Sequence, residues 1–103
     1  MDEWDDKRFG ELSERPMMPE ISRFYGIVIA IFFSDHNPPH FHARYGGDEA
    51  TIDVRTLQVL DGSLPRRALS LVVQWASQHQ DELMENWDLV RNQQAPKKIK
   101  PLE

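Results

Sequence analysis

Gly26-Ile27-Val28-Ile29-Ala30-Ile31-Phe32-Phe33 runs into Ser34-Asp35-His36-Asn37-Pro38-Pro39, and that into His40-Phe41-His42-Ala43-Arg44-Tyr45. The first eight residues are β-branched, aromatic and apolar on both faces. That is the composition of a central strand with a large buried face. The next six are turn chemistry, and Pro38 pushes Asn37 out of the α region. The last six alternate: Phe41, Ala43 and Tyr45 fall on one face, His40, His42 and Arg44 on the other. Two strands joined by a proline turn are therefore expected.

Moving outward, Gly46-Gly47-Asp48 closes the histidine strand with a turn. Ala50–Val54 alternates again as a third strand. The apolar phase shifts at Arg55-Thr56, which predicts a tight turn or bulge before a short fourth strand, Leu57–Leu60. Ser63-Leu64-Pro65 opens a helix, with Ser63 as its cap. Leu69, Val72, Val73, Ala76, Leu83, Trp87 and Val90 keep helical spacing across 65–93. Gln80 interrupts that stripe. One straight helix of this length would run about 42 Å, so a kink or break is expected near Ser77–Gln80. Residues 95–102 read as an extended basic end, with Ile99 and Leu102 docked. The fold class that follows is α+β: an antiparallel meander of three or four strands packed by one long or kinked C-terminal helix.

Upstream, residues 1–17 read as an acidic N-terminal tail before a single domain over 18–102. Residues 1–16 hold six acids (Asp2, Glu3, Asp5, Asp6, Glu11, Glu14) against three bases (Lys7, Arg8, Arg15). Trp4, Phe9 and Leu12 give this tail apolar residues with which to dock weakly. The 103-residue chain carries a net charge of −5, which argues against a general binder of nucleic acid or anionic membrane. There is no cysteine, so disulfides, thiolate catalysis and thiolate zinc sites are excluded. That usage fits a cytoplasmic protein. The longest apolar run is too short to cross a bilayer. Nothing in the pattern reports an oligomeric state.

Three of the four histidines lie within seven residues, 36 to 42. As metal ligands, His40 and His42 stand i, i+2 on one strand face, about 6.6–7 Å apart at Cα. His36 or Asp35 would supply a third ligand across the turn, in a set that suits zinc or another divalent transition metal. As acid–base groups, His40 or His42 would move protons while Arg44 grips a phosphate. Asp53 on the neighbouring strand would then orient an imidazole, a set suited to RNA cleavage without metal. As plain structure, the histidines would hydrogen-bond backbone at the proline turn. All three readings stand on the residues alone.

Met18-Pro19-Glu20-Ile21-Ser22-Arg23-Phe24-Tyr25-Gly26-Ile27 resembles the opening of a small bacterial family, the domain of unknown function number 4160. Asp35–Tyr45 resembles that family's central motif, Leu64-Pro65-Arg66-Arg67-Ala68 its helix start, and Glu85-Asn86-Trp87 a later helical signature. The resemblance covers roughly 18–102. It implies one component of a two-protein module resembling toxin–antitoxin pairs, with a second small protein as partner. The alternatives are a small enzyme working through the His40/His42/Arg44 face, with RNA as a candidate ligand, and a binding domain without catalysis.

Overall fold

The computed structural model describes residues 19–33 and 35–103. The reading of residues 1–17 as a tail lies outside them. Five strands form one antiparallel sheet in chain order: β1 (Glu20–Phe24), β2 (Ile27–Ala30), β3 (His40–Tyr45), β4 (Asp48–Asp53) and β5 (Val59–Gly62). Two helices follow, α1 (Arg66–Ser77) and α2 (Gln80–Arg91). The α+β class and the meander are as expected. The strand and helix counts are not.

The extra strand comes from the first hairpin. Tyr25 and Gly26 both take left-handed backbone angles, φ 51° and 80°, which make the two-residue turn that matches strand twist. An aromatic residue rarely accepts that region, so Tyr-Gly carries little turn signal. β1 and β2 are thus separate strands. β2 stops at Ala30, and Ile31–Phe33 leads into the proline loop. The second hairpin uses the plainer Gly46-Gly47, with Tyr45 opposite Asp48. At the far edge, Gly62 sits at φ 73°, and a Cβ there would meet the Glu49 carbonyl oxygen at 2.1 Å. Only glycine fits that close approach.

The helix breaks where the polar interruption predicted. α1 ends at Ser77, and His79, at φ −134° and ψ 25°, precedes α2. Gln80 turns its amide outward from the helical stripe to donate to the carbonyls of Val54 (2.8 Å) and Arg55 (3.1 Å). It thereby anchors the β4–β5 turn to the helices. The cap differs from expectation. Pro65, not Ser63, stands before the first helical residue, and no side chain caps α1.

Strand register sorts the sheet into two faces. Ile29, Ala43 and Ala50 align across β2, β3 and β4, as do Phe41 and Ile52 on β3 and β4. All five are buried in the core shared with the helices. Trp75 of α1 closes it, its ring 5.4 Å from Phe24 and 6.0 Å from Phe41. The opposite face carries Ala30, His42 and Thr51 in one row and Val28, Arg44 and Glu49 in the next. In β1, Arg23 holds the Glu20 carboxylate through hydrogen bonds of 2.8 and 3.0 Å. That contact keeps the Glu20 carboxyl below its ordinary range.

The C-terminal residues are strapped across this core. Ile99 donates its backbone N–H to the Ile21 carbonyl at 2.8 Å, beside the edge strand β1. Asn86, 1% exposed, accepts from the Lys97 N–H and donates to the Lys97 carbonyl, each at 2.8 Å. Its amide therefore serves as one rung of a backbone ladder. Asn86→Ala leaves both Lys97 groups unpaired and should destabilise the domain by about 1–3 kcal/mol. A urea melt reads this directly. A cost below about 0.5 kcal/mol would show that the strap contributes little to the fold.

Candidate metal centre

β3 alternation aims His40 and His42 to the same side, and the loop between β2 and β3 brings Asp35 back over them. Asp35 Oδ2 lies 3.1 Å from His40 Nε2 and 3.0 Å from His42 Nε2. The ligand atoms of the three side chains all lie within 4.8 Å of one another. Both histidines are about nine-tenths buried. The loop that carries Asp35 includes a cis Asn37–Pro38 peptide bond.

The outer nitrogens decide the chemistry. His40 Nδ1 lies 2.7 Å from the Pro38 carbonyl oxygen, which only accepts, so Nδ1 carries a proton and donates. His42 Nδ1 faces the Glu49 carboxylate at 3.3 Å and the Thr51 hydroxyl at 3.4 Å, again a position for a donor. A neutral imidazole that donates through Nδ1 presents a lone pair at Nε2. Each Nε2 then turns its lone pair toward the same Asp35 carboxylate oxygen, at 3.1 and 3.0 Å. Three acceptors cannot share that space without a cation among them, either a proton or a metal ion. Imidazoles oriented by a carbonyl and a carboxylate on the outer nitrogen are the usual support for metal-bound histidine.

Rings pack the cluster on both sides. Phe32 stacks on His42 at 4.0 Å between centroids, and the Trp87 ring of α2 lies 5.1 Å from His40. These contacts fix ring orientation and lower the local dielectric. Further along the face, Arg44 Nε donates to Glu49 at 3.1 Å. Glu49 thus links Arg44 to His42.

The residues singled out by sequence separate here. His40 and His42 converge. Asp35 is the third member, and His36 is exposed on the loop outside the cluster. Asp53 pairs with His40 in register, yet its carboxylate accepts from the backbone N–H of Arg55 and Thr56 at 2.7 and 3.0 Å. It shapes the β4–β5 turn. Glu49, Thr51, Phe32 and Trp87 were not anticipated. Cross-strand register would have found Glu49 and Thr51, opposite Arg44 and His42, but Phe32 and Trp87 give no separate signal within apolar runs. Among the described residues, no other His or acid cluster has three converging ligands, and no helix is long and apolar enough to cross a membrane.

Comparison with curated proteins gives no match, and comparison with solved structures gives none either. A family profile does match: the one described as "Domain of unknown function (DUF4160)" aligns with residues 26–88, from the Tyr-Gly turn through the Asp35/His40/His42 cluster to α2. With well over half of its length matched, β2 to β5 and the site included, this chain belongs to the DUF4160 family.

Proposed function

We propose that Asp35, His40 and His42 bind a divalent transition metal, zinc foremost, and that this centre assists phosphodiester hydrolysis in the cytoplasm. The observation that carries the reading is the convergence of the two Nε2 atoms on one carboxylate oxygen, with both Nδ1 atoms held from outside. Ligand atoms of a tetrahedral zinc site sit about 3.3–3.4 Å apart for bonds of about 2.0–2.1 Å. The two carboxylate–imidazole separations, 3.0 and 3.1 Å, lie close below that spacing. Two histidines and one carboxylate are three protein ligands, the number found where a further position is left for water or substrate. When bound, the metal supplies a Lewis acid and an activated water. Arg44, next along the same face, offers a guanidinium to a phosphate. RNA is the substrate class that this pairing suits.

The test uses untagged full-length protein. Zinc titration should give one site per chain, lost in His40→Ala and His42→Ala. Zinc-loaded protein should hydrolyse an activated phosphodiester and single-stranded RNA. Arg44→Ala should lower that rate while zinc stoichiometry is kept. No zinc binding at micromolar metal would refute the centre. Full binding without hydrolysis would refute the catalytic role. A second reading, one component of a two-protein module with a small protein partner, is supported by the exposed tyrosines of the two hairpin ends.

A further inference from the structure

At the end of the sheet away from the metal-ligand cluster, the hairpin ends, α1 and the C-terminal strap border a groove of about 460 Å³. Tyr25 and Tyr45 line it, and Ile27, Leu71 and Leu102 add apolar surface. Tyr25 is 61% exposed and Tyr45 40%. Tyr25 also stands in the left-handed region, φ 51°, which an aromatic residue rarely accepts. Asparagine or glycine would make that turn with less strain. An exposed ring is thus kept where local geometry disfavours it, and such strained positions cluster at binding sites.

The helix side of the groove is positively charged. Arg67 lines it and Arg66 precedes Arg67 in the first turn of α1, both exposed. That turn holds no acidic residue. Among the described residues, neither arginine forms an ion pair. Arg23, Arg44 and Lys97 contrast with them, each holding a carboxylate at 2.8, 3.1 and 2.7 Å respectively. Glu103 is the one acid in the groove lining, and Lys100 pairs with it at 2.9 Å.

Resting on the reading of a protein partner, we propose that this groove docks an acidic segment of that partner, anchored by one aromatic side chain. Charge and chemistry select this occupant. The tyrosines and the apolar lining accept a ring, which buries about 150–250 Å² and packs edge-to-face against other rings. Carboxylates flanking that ring reach Arg66 and Arg67, whose guanidinium groups bind carboxylate in bidentate fashion. A long polyanion such as RNA is disfavoured, because the chain as a whole carries a net charge of −5. A short acidic segment meets mainly the local arginines, since more distant charges are screened beyond about 8–10 Å. The groove shares no residue with the Asp35/His40/His42 cluster, so the metal reading neither supports nor weakens it.

The probe is a short fluorescein-labelled peptide of aspartates and glutamates around one phenylalanine, titrated with the full-length protein. It should bind with a Kd below about 1 mM, and more weakly as salt is raised. Alanine for its phenylalanine, or lysine for its acids, should each weaken binding at least about tenfold. Arg67→Glu in the protein should do the same. Tyr25→Asn should also weaken it about tenfold while the melting temperature holds or rises, because asparagine suits the left-handed turn. Binding lost without stability lost is a result that a merely structural tyrosine would not give. Peptide affinity unchanged in Arg67→Glu and Tyr25→Asn would overturn the groove and leave a protein partner to dock elsewhere. No binding by the parent at about 1 mM would remove the acidic aromatic segment as occupant. Displacement of the peptide by an equal concentration of single-stranded RNA would overturn it in favour of nucleic acid. A dimer of the free protein that Tyr25→Asn dissolves would overturn it in favour of a second copy.

Discussion

Replacing Trp75 by alanine is expected to lower stability by about 3–5 kcal/mol, the range for deleting a fully buried aromatic ring. The ring is 0% exposed and contacts Phe24 of β1 and Phe41 of β3. Its indole N–H donates to the Lys100 carbonyl at 2.8 Å. One side chain therefore ties α1, the sheet and the C-terminal strap. For a domain near 100 residues each kcal/mol moves the melting temperature by about 4–8 °C, so a drop of roughly 12–40 °C is expected. Natural domains hold only about 5–15 kcal/mol in total, so the variant sits close to unfolding. Trp75→Phe separates the two contributions. It keeps ring packing, loses the hydrogen bond, and should cost about 1–2 kcal/mol. If Trp75→Ala melted within about 1 kcal/mol of the parent, the sheet and helices would not share one core.

The contrast between these two variants also explains what the sequence disclosed. Packing residues announce themselves by period. The alternation of His40–Tyr45 placed β3 with its correct bounds, and the helical stripe with its break at Gln80 placed both helices. What hid β1 was a turn built from Tyr25-Gly26. An apolar run follows it from Ile27 to Phe33 and draws the strand reading to itself, and tyrosine is a poor indicator of left-handed backbone. The C-terminal strap was legible through Ile99, but its fastening to Asn86 was not. A buried asparagine within a helix gives no outward sign that its amide will pair with a distant backbone.

The candidate centre was partly legible for a similar reason. His40 and His42 follow from two-residue alternation alone. The choice between Asp35 and His36 does not, because a loop with two prolines has no period. Adjacent residues in such a loop point in different directions, and only the path over the sheet selects Asp35. Asp53 is the opposite case. Its place on the neighbouring strand offers an imidazole partner, but the turn after β4 needs acceptors for the Arg55 and Thr56 N–H groups, and the Asp53 carboxylate provides one. Local backbone satisfaction outcompeted the longer side-chain contact.

Zinc is expected to raise the melting temperature of the full-length protein by roughly 10–20 °C at a hundredfold excess over its dissociation constant. Binding to the folded state alone contributes about 2.7 kcal/mol under that condition, converted at the same 4–8 °C per kcal/mol. His36→Ala should keep the whole shift, whereas His40→Ala and His42→Ala should lose it. That result would separate the loop ligand selected by the fold from its neighbour. Acidification should erase the shift, since protons compete with the metal for both imidazoles. Asp35→Asn gives the sharpest outcome because its effect changes sign. Without metal, the asparagine amide can donate to an Nε2 lone pair that the carboxylate can only oppose. The variant should then be as stable as the parent, or more stable by up to about 1 kcal/mol. With zinc it should fall below the parent, having lost the charged ligand. A zinc shift equal in Asp35→Asn and the parent would remove Asp35 from the site, and a parent insensitive to zinc would leave a shared proton as the cation that holds Asp35, His40 and His42 together.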